Sequence, residues 1–518
     1  MKGIPTSLVY RLLKPRLREL ARYGPEGFDI QERQLAFLLQ RGRDTVWGKR
    51  FGLRELCSYE GFRARIPLQT YDGLKAYIRR MINGEGNILW PSQTRWYAKS
   101  SGTTSDKSKF IPLTSEILHA CHYRGSRDAI ALYLENHNRS SALFSGKGII
   151  LGGSHAPSPL NIRSRQGDLS AVLLQRLNPL YDFFRVPEKR IILMDEWEEK
   201  IEAVVRRTCR TDISSLTGVP SWMLVLLKAV MEARGAESLT DVWPQLEVFF
   251  HGGVSFTPYR DIYRRLIPSE KMHYVETYNA SEGFFGIQST PEDGSLLLML
   301  DYGIFYEFLP LEGEKGEEGE KAVGVEAVEA VPLEGVRKGV HYAMVVTTAG
   351  GLWRYCLGDT IRFTSLHPHK FIITGRTRHF INAFGEELMV DNADRAITET
   401  NRLSGASVSE YTAAPLFLEE EGKGRHQWLI EFTTPPPSLE EYARLLDVHL
   451  KRLNSDYEAK RQKNLSLQQP EVIAARQGLF HRWLQERGQL GGQHKVPRLA
   501  NDRRIMEQLL QLNGCRRD

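Results

Sequence analysis

The run Lys99-Ser100-Ser101-Gly102-Thr103-Thr104-Ser105-Asp106-Lys107-Ser108-Lys109 packs six hydroxyl side chains, one glycine and three lysines into a short polar stretch. Residues of these types suit an anion. Glycine lets the backbone approach a ligand, hydroxyls and successive N–H groups donate to phosphate oxygens, and lysine brings a mobile positive charge. An ordinary polar turn has the same composition, and the run alone does not separate the two. Its frame is more telling. Trp96-Tyr97-Ala98 precedes it and Phe110-Ile111-Pro112-Leu113 follows, which predicts a hairpin rather than a free linker. It is not a Walker loop, because Asp106 stands where that motif requires a glycine before Lys-Ser.

Further segments have a nucleotide-friendly composition. Gly252-Gly253-Val254 follows an apolar strand pattern at Leu246–Phe250, where a flat ligand could approach the backbone; a tight turn explains the glycines equally well. Thr277-Tyr278-Asn279-Ala280-Ser281-Glu282 places an aromatic ring, hydroxyls and a carboxylate at another strand end. The ring could stack on a base and Glu282 could hold Mg²⁺ beside phosphates. Asp359, expected just past a strand and Gly358, is suited to two ribose hydroxyls, though a Gly-Asp turn has the same sequence. Gly375-Arg376-Thr377-Arg378 and the polar loop carrying Gln493-His494-Lys495-Val496-Pro497-Arg498 complete the set. No convincing Ser/His/Asp or Cys/His arrangement is present, so catalysis is expected to rest on positioning and charge stabilisation.

In this order the motifs resemble those of the adenylate-forming enzymes, and more closely the Gretchen Hagen, or auxin-responsive, acyl acid amido synthetase family. Ser100 to Thr104 with Lys109 is similar to its first nucleotide motif, Tyr278 to Glu282 to the second, Trp353 to Asp359 to the third, and Gln493 to Arg498 to its C-terminal lysine segment. The resemblance implies an ATP-dependent ligase. A small carboxylic acid would be adenylated with release of pyrophosphate, and the acyl group passed to an amine, commonly that of an amino acid. It further implies that Ser100, Ser101, Gly102, Thr103 and Thr104 wrap the phosphates with Lys109. Gly252, Gly253 and Val254 would lie along adenine, with Thr277, Tyr278 and Ser281 beside them and Tyr278 stacking. Glu282 would bind Mg²⁺, Asp359 the ribose, Arg376 the nucleotide, and Lys495 the reacting phosphate or carboxylate. Two alternatives remain at this point: a thiol such as coenzyme A as acceptor, or a non-catalytic adenylate-binding protein. Plant members usually carry a small residue and glycine in place of Ser105-Asp106, and glycine in place of Asn279, where asparagine is expected to tolerate a positive φ.

The elements that must position these groups follow from pattern. Leu8, Leu12, Leu13, Leu17 and Leu20 recur at helical spacing, as do residues from Arg33 to Leu39. From the hairpin to about residue 370, β-rich runs alternate with helices, the rhythm of an α/β fold with sheets layered by helices. Ser221–Arg234 is apolar nearly all round and closes with Gly235, so a buried helix is expected. Gly218 to Met223, with Ser154 and His155, are candidate acyl-pocket residues, and Glu312–Lys321 reads as a solvated excursion. A small α+β domain follows, with strands near Phe380-Ile381 and Trp428–Phe432 and a capping box at Ser438…Glu441. The expected domains are 1–376, for adenylation, and 377–518, a mobile C-terminal domain.

Bulk composition narrows the class. The 518 residues, 41% hydrophobic and 25% charged, suit a multidomain soluble protein. Sixty-nine basic against 63 acidic residues leave a net charge of +6 with only short basic clusters, so no nucleic-acid partner is implied. Five widely spaced cysteines without a CxxC pair argue against disulfides and structural zinc. No run is long and apolar enough for a leader or a membrane span, and a cytoplasmic monomer is expected.

Overall fold

The structure is a computed structural model and describes residues 5–101, 108–137, 141–153, 157–194, 197–254, 256, 259–291, 293–311, 329–376, 380–386, 388–418, 423–461, 466–487 and 496–514. Twelve strands form one sheet in the order Val331–Pro332, Ile304–Pro310, His341–Thr348, Tyr355–Leu366, His369–Arg376, Leu296–Leu298, Gly283–Gln288, His273–Ala280, Val248–His251, Ile213–Gly218, Lys147–Ile150 and Arg185–Val186. The sheet has two characters. From Arg185–Val186 to His273–Ala280 every pairing is parallel. From His273–Ala280 onward every pairing is antiparallel. His273–Ala280 is the seam between them.

The parallel half is buried as strands covered on both faces must be, with all of Val248–His251 enclosed. The helix Pro220–Arg234 packs on it through Met223, Leu224, Leu227 and Val230. It ends where expected, at Gly235 with φ +59, a left-handed cap that a glycine adopts without strain. Helices also dominate residues 6–82, and one of them, Gly27–Gly42, grips the far half of the sheet. There the buried Gln31 amide donates to the Leu300 and Ile304 carbonyls and accepts from the Tyr306 N–H.

A buried ion pair joins this helical layer to the sheet. Arg354 donates from Nε to Glu307 Oε2 at 2.9 Å and from Nη2 to Oε1 at 2.8 Å, while Nη1 reaches the carbonyls of Ile66 at 2.6 Å and Arg63 at 2.9 Å. Arg354 sits at φ +42, a costly position for a side chain with a Cβ. These bonds, and one from its own N–H to Thr347 Oγ1, hold it there.

The run Trp96–Ser101 pairs antiparallel with Ser108–Pro112, so the hydroxyl-rich segment is the turn of a hairpin, as its flanks predict. Residues 407–475 carry a separate three-stranded sheet, Ser407–Leu418, Lys423–Thr434 and Glu471–Ala475, with the helices Val390–Ser404 and Leu439–Leu453 over one core. The expected capping box is only half made: Ser438 Oγ accepts from the Glu441 N–H at 3.2 Å, but the Glu441 carboxylate is drawn away to Arg444. The charged run 312–321 lies outside the described residues. Among the described residues no helix is long and apolar enough to cross a membrane.

Two stability predictions follow from this packing. Glu307→Ala strands the Arg354 charge in the core and should cost about 3–5 kcal/mol in urea unfolding; a loss below about 1 kcal/mol would show the pair to be dispensable. Burial also pushes His122 and His369 down to about 4 and His251 to about 3, from an ordinary 6.5. The unfolded chain binds these protons below about pH 6.5 and the folded chain only near 4 or lower, so stability is full above 6.5 and is lost as pH falls toward 4. Each imidazole contributes about 1.4 kcal/mol per pH unit in that window. Unfolding free energies measured at pH 7 and pH 5 should differ by several kcal/mol.

Candidate active site

A cavity of about 1660 Å³ opens where the parallel strands end. Its wall runs from Ile150 and Leu151 through Thr217 and Val219 to His251, then to Tyr278 and its neighbours. All of these positions lie within two residues of the carboxyl end of a strand, and the cavity meets the sheet where pairing changes from parallel to antiparallel. Open α/β sheets bind ligands in this place.

The hairpin supplies one side. Ser100 and Lys109 are cross-strand partners, so their side chains share a face, and both line the cavity together with Lys99. Gly102, Thr103 and Thr104 lie outside the described residues, as do the Ser101 side chain and Asp106. Gly252, Gly253 and Val254 line the same cavity. Their glycines have a local cause: a Cβ on Gly252 would stand 2.2 Å from the Thr277 carbonyl oxygen, and Gly253 has φ +85. Close approach of the neighbouring strand, before any ligand, requires glycine there.

Two motifs 81 residues apart in sequence meet directly. The Tyr278 hydroxyl donates to Asp359 Oδ2, and both residues are nine-tenths or more buried at the cavity wall. Tyr278 is braced by the rings of Phe285 and Phe371 at 5.0 and 6.2 Å. Asp359 does not follow a strand end, as its Gly-Asp context suggested; it lies inside Tyr355–Leu366. The register there jumps from Ala343↔Thr360 to Val345↔Cys356, with Gly358 at φ +88. This bulge, which the glycine permits, places Asp359 at the cavity.

The second motif also differs in detail. Asn279 occupies no positive-φ turn: among the described residues only Asn87 and Arg354 are non-glycines with φ in that region, and Asn279 continues the strand opposite Phe284. Thr277, Ser281 and Glu282 line the cavity beside it, and Thr277 Oγ1 donates to the His251 carbonyl at 3.1 Å. Arg376 pairs with Asp359 through the backbone at the end of His369–Arg376; its side chain is outside the described set. Ser154, His155 and Lys495 are outside it too. Gly218, Val219 and Trp222 line the cavity near the parallel strand ends.

The C-terminal part adds Asn382, Phe417, Asp456, Lys460 and Asn501 to the lining. Asn382 Nδ2 donates to the Gly253 carbonyl at 3.3 Å, Tyr259 Oη to the Ala383 carbonyl at 2.8 Å, and Lys460 Nζ lies 4.0 Å from the Trp222 ring centre. None of these cavity residues of the C-terminal part stands in a recognisable motif. His251 leads the glycine pair in sequence and had no role assigned to it: its ring stacks on Phe256 at 4.2 Å and its Nδ1 is buried without a hydrogen bond among the described residues. A lone histidine at a strand end carries no pattern that would mark it.

The likeness carried by the motifs extends along the chain. Residues 16–272 match the GH3 family N-terminal domain, 297–376 the central domain and 391–504 the C-terminal domain. The indole-3-acetic acid-amido synthetase GH3.4 of Arabidopsis thaliana is 25% identical over 554 residues, covering 93% of this chain and 90% of that protein. GH3.8 of Oryza sativa subsp. indica, another indole-3-acetic acid-amido synthetase, is 24% identical over 560 residues, with 93% and 89% covered. Among solved structures, the GH3.15 acyl acid amido synthetase superposes with a TM-score of 0.58 at 19% identity over 96% of this chain and 94% of that one. A 2-hydroxyisobutyryl-CoA ligase gives 0.51 at 14% over 98% and 94%. The mixed α/β architecture, large N-terminal part and small C-terminal part are those of adenylate-forming enzymes, and by sequence and fold this chain belongs to the GH3 family.

Proposed function

We propose that the chain is an ATP-dependent acyl acid amido synthetase that joins a small carboxylic acid to an amine, with an amino acid as acceptor. The observation that carries this reading is convergence: in a GH3 chain, the Lys109 hairpin, the Tyr278–Asp359 pair and the apolar ends of four parallel strands line one cavity. The acid carboxylate attacks the α-phosphorus of ATP and pyrophosphate departs. The amine then attacks the acyl carbonyl and AMP departs.

In this reading Ser100 to Thr104 and Lys109 surround the phosphates, Gly252 to Val254 and Tyr278 flank the adenine, and Asp359 accepts from the ribose hydroxyls. Tyr278 fixes the Asp359 carboxylate in place before nucleotide arrives, which is the preorganisation that positioning catalysis needs. Ile150, Leu151, Val219 and Trp222 suit the acyl chain. Glu282 would hold Mg²⁺ beside the phosphates; among the described residues no group of three carboxylate, imidazole or thiol side chains could hold an ion alone. When bound, the ion neutralises phosphate charge. Residues 377–518 would act as a mobile domain that delivers Lys495 to the reacting phosphate or carboxylate. Cys57, Cys121, Cys209 and Cys356 are free, which suits a cytoplasmic protein, and we expect it to act as a monomer.

ATP–pyrophosphate exchange against a panel of aromatic, aliphatic and hydroxylated acids tests the first half-reaction; exchange with none of them would sink the reading. A charge-assisted hydrogen bond is worth roughly 1.5–3 kcal/mol, so Lys109→Ala and Lys495→Ala should each slow exchange by roughly ten- to a hundredfold. Product formation with amino acids, and none with coenzyme A, is the expected outcome for the second half-reaction.

A further inference from the structure

The helical segment that packs on the strand Gly283–Gln288 contains one π-turn, Leu118–Tyr123. A π-turn spaces successive side chains more closely around the axis than an α-turn does, and it is rare enough to ask what it achieves. Here two consecutive side chains reach the same hairpin. Cys121 Sγ accepts the Phe284 N–H at 3.0 Å, and His122 Nδ1 lies 2.9 Å from Asn279 Oδ1. Phe284 and Asn279 are themselves opposite one another across that hairpin. The turn therefore clamps both strands just where they reach the cavity.

His122 is fully buried, and burial pushes it down to about 4, so the ring is neutral. Its Nε2 has no hydrogen bond among the described residues. A proton on Nε2 would leave a buried donor unpaired; a proton on Nδ1 satisfies the Asn279 oxygen and leaves only a lone pair unmet, the less costly choice. The Asn279 oxygen is thereby occupied. Asn279 lines the cavity, and its amide nitrogen has no hydrogen bond among the described residues.

We propose that His122 is a positioning residue that locks the Asn279 amide with its N–H₂ facing the cavity, where it donates to an anionic oxygen of the reacting ligands, the acid carboxylate or the α-phosphate. A free asparagine side chain turns over at little cost and would present its carbonyl oxygen, which repels such an oxygen. The imidazole N–H removes that choice. The proposal rests on the adenylation reading above.

The test is steady-state ATP–pyrophosphate exchange with the full chain, in parallel with thermal unfolding. Asn279→Ala should lower kcat/KM by roughly ten- to a hundredfold when assayed well below the melting temperature of the variant. His122→Ala should reproduce that loss. His122→Asn, which puts an N–H near the position of Nδ1, should recover most of it, a rescue that a purely structural histidine would not give. A rise confined to the KM for acid assigns the carboxylate, and one confined to the KM for ATP assigns the phosphate; both support the donor role. Asn279→Ala within twofold of wild type overturns the proposal, as does a His122→Ala defect that His122→Asn leaves in place. Wild-type exchange absent with every acid would instead overturn the adenylation reading, and this proposal with it.

Discussion

The candidate site depends on the pair between Arg354 and Glu307. The strand that carries Asp359 begins at Tyr355, one residue after an arginine in a backbone conformation it would not choose alone. The guanidinium spans the Glu307 carboxylate on one strand and two carbonyls in the helical layer, so sheet and helices meet at a single planar group. Arginine suits this junction because its fork satisfies several acceptors at fixed angles, which lysine would not. Trp353 beside it donates to the Leu89 carbonyl and lies so close to Gly42 that a Cβ there would be 2.4 Å from the ring. The start of the strand is thus fixed from both sides before the bulge at Gly358 sets the Asp359 side chain.

From that anchor the geometry runs across the sheet. Asp359 accepts from Tyr278, and Tyr278 stands on the strand where parallel pairing gives way to antiparallel. Their hydrogen bond joins the seam strand to a strand of the antiparallel half at the buried cavity wall. The π-turn reaches the same strand through His122 at Asn279, one residue further on. Tyr278 and Asn279 are therefore held from different directions by groups distant in sequence, and neither is left to a loop.

What the sequence revealed, and what it hid, divides along physical lines. Local patterns were legible: a polar turn between apolar flanks, a helix apolar all round and stopped by Gly235, and the order of four polar motifs. Features that depend on a partner strand were not. Gly358-Asp359 reads as a turn until the register opposite it is known, because a bulge exists only relative to its neighbour. Asn279 suggests a left-handed residue, yet pairing with Phe284 keeps it extended. His122 acts on a residue 157 positions away through a turn that no 3.6-residue periodicity announces. The half-made cap at Ser438 shows the same limit in miniature, since a nearby arginine competes for the glutamate.

The change of pairing at His273–Ala280 has a consequence for how such a protein can diversify. The apolar wall at Ile150, Thr217 and Val219 stands on one side of that strand, and Asp359 with its anchors at Arg354 and Glu307 stands on the other. The two sets share no strand, and the seam lies between them. Drift in the first can reshape what the cavity admits while leaving the second under separate selection, so descendants of one ancestral scaffold can part in diet without relearning their chemistry.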